Sequence, residues 1–418
     1  MFDLVIRGDD RDIAVEDGRI CALGKELAGG REEIAARGLA VLPGLIDVHV
    51  HFNDPGRTEW EGAATGSRAF AAGGGTLFFD MPLNSSPCTV NVAAFESKRS
   101  ALERSSVTDF GLWGGLIPGN AGELAGLTAC GAVGFKAFLC DSGLPEFPHV
   151  DEATLYEGMR IAAELGLPVA VHAESPAHLR TPRGKSVRDY LDSRPVAAEV
   201  EAIRLAASLA AETGAKLHIV HISSGSGVAA AVEARTRGAD VSIETCPHYL
   251  FFTEEDMERI GAAAKCAPPL RPEAERAELW ARVLDGSVSI IGSDHSPAPP
   301  EVKTGDDFTR IWGGIAGIQA TLAVLLEKGL PLESIVQKVA ANPARRFGIA
   351  RKGTIEIGMD ADLVLVRVNQ PFVMNTEDLF QRHRVSPYLG CRLRGKVEKT
   401  LVRGQAPAPG LGRFVRPE

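Results

Sequence analysis

The chain has no CxxC pair, no basic stretch leading into an apolar one at its start, no apolar run of membrane-spanning length and no excess of positive charge. Each absence closes a class of function. The seven cysteines (Cys21, Cys88, Cys130, Cys140, Cys246, Cys266 and Cys391) are scattered and odd in number, which points to reduced thiols rather than a disulfide framework. Met1-Phe-Asp-Leu-Val-Ile-Arg-Gly8 lacks the features of a secretory leader, so a cytoplasmic protein is expected. Without a run long enough for a bilayer, no membrane partner is expected. A formal net charge of −9 offers nothing to phosphate backbones or anionic lipid, so no nucleic-acid partner is expected either and a small-molecule partner remains. There is also no GxGxxG at a first strand–helix turn. Ala71-Ala-Gly-Gly-Gly-Thr76 precedes a strand, where a tight turn is the better reading than a phosphate cradle. Asn84-Ser-Ser matches a glycosylation sequon, and with no secretory signal visible it is read as a chance match.

What is present is ordinary globular composition, 45% apolar and 24% charged over 418 residues, in a chain longer than one core supports. The two ends share a texture of short strands and turns. Asp12–Gly24 reads as a hairpin across Asp17-Gly18, and 353–418 contains Ala361-Asp-Leu-Val-Leu-Val-Arg367 and Lys396-Val-Glu-Lys-Thr-Leu-Val-Arg-Gly404. Residues 1–42 and 353–418 are therefore expected to meet in one small β-sandwich domain. The middle, 43–352, alternates apolar strands (42–51, 76–81, 109–113, 132–138, 168–172, 217–222, 241–245 and 288–293) with amphipathic stretches such as Asp151–Leu165, Val196–Thr213 and Ala274–Leu284. Eight strand–helix units predict an α/β fold, a (β/α)8 TIM-type barrel.

The residues that carry chemistry sit where these strands end. His49 and His51 are two apart and project to one face, as transition-metal ligands do, although an isolated HxH serves equally well as a strand cap. His172 ends Leu167-Pro-Val-Ala-Val-His, His221 ends Leu217-His-Ile-Val-His, and Asp294 ends Val288-Ser-Ile-Ile-Gly-Ser-Asp. In a barrel these ends converge on one mouth. Lys136 lies within the apolar strand Gly131-Ala-Val-Gly-Phe-Lys-Ala-Phe138. It either snorkels to solvent or is held buried, where its pKa falls and the neutral amine can add CO2 to become a carbamate.

This constellation resembles the amidohydrolase superfamily in its cyclic amidohydrolase branch, which holds the dihydroorotases, the hydantoinases or dihydropyrimidinases, and the allantoinases. The resemblance runs over essentially the whole chain. It implies a centre of two divalent metal ions, zinc first with manganese or cobalt as alternatives. His49, His51 and Asp294 would hold one ion and His172 and His221 the other, bridged by hydroxide and by Lys136 as N6-carboxylysine. It also implies Asp294 as the catalytic acid–base and a homo-oligomer, a tetramer.

Within the branch, dihydroorotases carry an arginine where this chain has Asn53 and often a histidine where it has Ala298. Hydantoinases typically carry a tyrosine where it has Asp141. The stretches Asn53-Asp-Pro-Gly-Arg-Thr-Glu-Trp-Glu-Gly62, Asp80-Met-Pro-Leu-Asn-Ser-Ser-Pro87, Gly134–Gly143 with Pro145-Glu-Phe-Pro-His-Val150, and Trp312-Gly-Gly-Ile-Ala-Gly317 are similar to the allantoinase group. That likeness implies hydrolysis of a neutral hydantoin ring. The alternatives are a hydantoinase-like or dihydroorotase-like enzyme, or a non-enzymatic scaffold. Asn84, Ala267 and Gly313 lie where relatives hold the ring, and loop structure accounts for them equally well. His248 and His295 are expected near the mouth but not as ligands, and His149, His178 and His383 in surface or loop roles.

Overall fold

A computed structural model describes residues 1–418. The N-terminal strands are β1 (Phe2–Arg7), β2 (Asp12–Glu16), β3 (Arg19–Gly24) and β4 (Gly30–Ala35), ordered β3-β2-β1-β4 in one sheet. The β2–β3 turn is Asp17-Gly18 with φ of 50° and 75°, the paired positive values that a two-residue hairpin turn of this twist demands. β4, charged at three of its six residues, pairs parallel to β1 and is a strand that the sequence pattern does not announce. β5 (Ala40–Pro43) belongs to a different sheet and pairs antiparallel with a strand from the far end of the chain.

The expected strand 42–51 is therefore two strands. Gly44 is the break: a Cβ there would lie 2.2 Å from the Thr76 side chain, so only glycine lets the chain turn at that point. Beyond it, β6 (Leu45–Val50) pairs parallel to β7 (Gly75–Asp80), and β7 to β8 (Asp109–Leu112). A second parallel set runs from β9 (Gly114–Gly115) through β10 (Phe135–Phe138), β11 (Val169–His172), β12 (Leu217–Ile219) and β13 (Val241–Thr245) to β14 (Ile290–Ile291). Only Trp113 separates β8 from β9. At the other edge, Val50 bridges His295 in parallel, and the His51 N–H donates to the His295 carbonyl at 2.8 Å.

These strands are short and buried on both faces, as parallel strands flanked by helices are. Their side chains divide with period two. Phe135, Ala137, Val169, Val171, Leu217 and Ile219 belong to the large cluster under the helices. Ala170 and Val220 belong with Ile46, Val48, Leu77, Phe79 and Trp113 to an inner cluster. Lys136, His172 and His218 share the inner parity. The helices follow the expected ranges closely: Glu152–Leu165, Val196–Thr213 and Glu273–Leu284. The first buries Leu155, Gly158, Met159 and Ala162, spaced as one helical face, and is capped by the Asp151 carboxylate accepting from the Thr154 N–H. No helix is long and apolar enough to cross a membrane.

β15 (Leu363–Val373) and β16 (Arg392–Leu401) return to complete the antiparallel sheet with β5. Leu363, Leu365, Ala361 and Leu401 pack into one buried cluster with Leu4, Ile6, Ile13, Val15 and Ile20, so the two chain ends share a core. A buried charge cluster ties this region to the middle. Lys352 Nζ lies 2.6 Å from Asp109, 3.0 Å from Asp360 and 2.5 Å from Asp362, and Arg403 also pairs with Asp109.

Candidate metal centre

The ends of β6, β11, β12 and β14 bring five polar side chains to one cavity of about 710 Å³, walled in part by His49, His51, His172, His221 and Asp294. The last two leave the strand in a particular way. His221 and Asp294 adopt φ of 39° and 46°, a region that non-glycine residues rarely occupy, and such strain concentrates at functional sites. The expected strand 217–222 stops at Ile219, short of left-handed His221, which cannot continue a ladder, and the expected strand 288–293 is reduced to Ile290–Ile291.

The donor atoms converge. Asp294 Oδ1 lies 3.2 Å from His49 Nε2 and 3.3 Å from His51 Nε2. His172 Nδ1 lies 3.0 Å from His221 Nε2. Ligands of a tetrahedral ion bonded at 2.0–2.1 Å sit about 3.3 Å from one another, so these separations fit a cation in each group. Ligand atoms of His49, His221 and Asp294 all lie within 4.8 Å of one another. Lys136 is fully buried and its Nζ has no hydrogen-bond partner. A buried amine left unpaired is costly, and one held beside histidines and a carboxylate suits conversion to an anion.

Electrostatics favour the same use. Burial pushes His51 down to about 4 and holds His172 and His221 below the ordinary histidine value, so all three rings are neutral with free lone pairs at neutral pH. Burial pushes Lys136 down to about 8 against the pull of Asp294 and Glu244. Burial alone would raise Asp294, but the His49 and His51 rings outweigh it and hold the carboxyl down to about 2.

Three carboxylates escape the sequence reading. Glu244, at the end of β13, is fully buried. Its Oε1 accepts from His49 Nδ1 at 2.9 Å and from the His221 backbone N–H at 3.1 Å, and its Oε2 meets His218 Nε2 at 2.9 Å. Despite burial, His49 and His218 keep it well below the carboxylate range. Such a partner fixes which imidazole nitrogen faces a metal. Glu174 does the same for His172, its Oε2 lying 2.9 Å from Nε2, and is itself paired with Arg194. The spacing His172-Ala-Glu174 is the one local signal for it. Asp47 accepts from the Ser293 N–H at 3.0 Å, tying the first strand to the last. Cys140 lies near His172 and Glu174, but burial pushes its thiol up to about 12, leaving it protonated and a poor ligand.

Asn84, Ala267 and Gly313 all line the cavity, and Asn84 is held at φ 72°. Asn53 has φ 61° and is buried with neither side-chain amide atom partnered, and it is not part of the cavity wall. His248 sits buried in the short helix Pro247–Phe251, outside the wall. His295 is buried 3.8 Å from Glu61 and supports His51 through its carbonyl. His149 and His178 are exposed and His383 half-buried.

The model of the Amidohydrolase family matches residues 40–406. Among similar proteins, an allantoinase of Solibacter usitatus (strain Ellin6076) is 64% identical, with 97% of this chain and 93% of that one aligned. One of Rubrobacter xylanophilus is 52% identical, covering 100% of this chain and 98% of the other. Among solved structures, the L-hydantoinase (dihydropyrimidinase) from Arthrobacter aurescens superposes with a TM-score of 0.96 at 32% identity over 100% of both chains. The dihydropyrimidinase from Brevibacillus agri NCHU1002 gives 0.91 at 28%, covering 100% of this chain and 98% of the other.

Proposed function

The chain belongs to the amidohydrolase family, and from that premise we propose that it hydrolyses the ring amide of allantoin to give allantoate. The observation that carries this reading is the likeness to allantoinases over 97% and 100% of the chain, which takes in the loops at the mouth as well as the histidines. In this architecture those loops choose the substrate. The fold in this reading is a (β/α)8 barrel of residues 43–352 with a β-sandwich from 1–42 and 353–418. Supporting it are the two parallel sets β6–β8 and β9–β14, separated only by Trp113, the hydrogen bond joining His51 to His295, and the core shared by the two ends.

His49, His51 and Asp294 would hold one divalent cation and His172 and His221 a second, zinc in the first instance, with Lys136 as N6-carboxylysine between them. When bound, such a pair supplies Lewis acidity toward the scissile carbonyl and acidifies the attacking water near neutral pH. The chain's own residues do the rest. With Lys136 at about 8, about a tenth of the side chain is neutral at pH 7. That nitrogen bonds to the carbon of CO2 and loses a proton, replacing a buried cation by a carboxylate. Asp294, ionised at neutral pH, takes a proton from the attacking water and delivers it to the leaving ring nitrogen. Asn84, Ala267 and Gly313 bound the space where the ring lies.

The superposition on hydantoinases at a TM-score of 0.96 favours a second reading, action on simpler hydantoins. A panel of allantoin, hydantoin, dihydrouracil and dihydroorotate, with metal content measured on the same sample, separates the two. Allantoin should give the highest kcat/KM. Preference for hydantoin or dihydrouracil would transfer the assignment to the hydantoinases.

A further inference from the structure

The segment 302–314 supplies more of the cavity wall than any other, including Arg310, Trp312 and Gly313. Apart from the turn Pro300–Lys303 it has no regular structure of its own, so its position depends on what ties it down. The Phe308 N–H donates to the Lys185 carbonyl at 2.9 Å and Lys303 Nζ to the Ala262 carbonyl at 3.0 Å, but the tie that gathers several of its carbonyls at once is one side chain from another loop. Lys265 is 3% exposed, and its Nζ donates to the carbonyls of Phe308 at 2.6 Å, Thr309 at 3.0 Å and Ile311 at 2.6 Å. An ammonium has three donors, and all three are used. The Lys265 backbone carbonyl accepts from the Gly314 N–H at 2.8 Å.

The surroundings mark this as a built tether. Lys265 forms no ion pair; its charge sits 4.5 Å from the centre of the Tyr190 ring and 5.3 Å from that of Phe308, so carbonyl dipoles and ring faces balance it. Burial pushes the ammonium down to about 8, which leaves it largely protonated at neutral pH. Tyr190 in turn donates to the Cys266 carbonyl at 2.7 Å, fixing the residue between Lys265 and Ala267. On the far side of the tether, Trp312 packs edge-on against Trp60 at 4.8 Å, and its indole N–H has no partner.

We propose that Lys265 is a positioning residue for ring opening: by capping three carbonyls of 302–314 it holds that loop over the metal centre and so sets where Trp312 and Gly313 meet the substrate. This rests on the reading that the substrate occupies the cavity. It assigns Lys265 no contact with the reacting atoms.

The test compares Lys265→Met, which has the length but no donors, with Lys265→Arg, which keeps a charged donor set. In K265M, amide hydrogen exchange in 302–314 should quicken by about 10- to 100-fold, the scale of losing a set of charged hydrogen bonds. Metal content should be unchanged, and KM for allantoin should rise by a larger factor than kcat falls. K265R should recover part of both the protection and the KM. Unchanged exchange in K265M overturns the tether. Faster exchange with unaltered KM overturns the positioning role. If K265M does not fold, Lys265→Gln takes its place, and failure of both to fold makes the residue structural and overturns the proposal. Should the wild type open no ring, the functional reading fails, while exchange at 302–314 still reports on the tether.

Discussion

Replacing Glu244 by Gln removes one charge and almost no hydrogen bond, which makes it a sharp probe of the carboxylate beneath the site. Oε1 must still accept from His49 Nδ1 and the His221 N–H, so the new amide NH2 has to face His218 Nε2. His218 can accept it by moving its proton to Nδ1. That nitrogen lies 2.8 Å from Ser242 Oγ, whose own hydrogen goes to the Leu217 carbonyl at 3.2 Å. The network closes again except for the second hydrogen of the new amide, one buried donor left without an acceptor. What is lost is the charge behind His49, and bonds to a charged acceptor are about twice as strong as neutral ones. Zinc affinity should therefore fall by about 10- to 100-fold, the usual cost of losing the partner of a ligating histidine. The metal-free chain should lose only about 1–3 kcal/mol. Glu244→Ala strands three buried donors and should cost the metal-free chain about 1–3 kcal/mol for each. Chelator competition with metal analysis reads the first quantity, and urea unfolding of the metal-free chain reads the second. Wild-type zinc affinity in E244Q would refute the claim that Glu244 tunes His49. Equal destabilisation of the two variants would refute the tautomer argument.

Two further outcomes follow from the geometry. Asp294→Ala removes both a donor atom and the proton carrier, so kcat should fall by at least about 10²–10⁴-fold with the circular dichroism spectrum retained; normal turnover would sink the proposed mechanism. Lys352→Met leaves Asp109, Asp360 and Asp362 without their shared buried cation and should cost about 3–5 kcal/mol in urea unfolding, a loss of under 1 kcal/mol being the refuting result.

Much of this molecule is legible in its sequence because strand and helix periodicity are local. The end of an apolar run marks the rim of a parallel sheet whether or not its partners are known. His49, His51, His172, His221 and Asp294 were therefore visible as strand-end residues, and the structure gathers them at one cavity. Lys136 stands out because an ammonium in an apolar strand must either snorkel to solvent or be held buried, and it is buried without a hydrogen-bond partner. Glu244, Glu174 and Asp47 were not visible, because their importance lies in pairing across strands far apart in the chain. Nothing local to Glu244 says that it will sit between His49 and His218. The break at Gly44 was hidden for the same reason, since it depends on the Thr76 side chain. Lys265 reads locally as one more loop lysine, and only the folded course of 302–314 reveals three carbonyls waiting for it.

The Asp47–Ser293 contact joins residues 246 positions apart, and this bears on the order in which the protein is made. Contacts so distant form late, since the entropy of closing the intervening chain must be met before they contribute. On the ribosome, the strand bearing His49 and His51 must wait, paired only on its β7 side, until Asp294 has emerged. A chain arrested before that point has all four of these histidines, His49, His51, His172 and His221, but lacks Asp294 and so has no complete centre. A metal that requires donors from both segments binds the finished fold and not its precursors, and it stabilises that fold in proportion to the logarithm of free metal over its dissociation constant. Metal supply during synthesis would then govern how much completed enzyme accumulates, separately from how fast each molecule turns over.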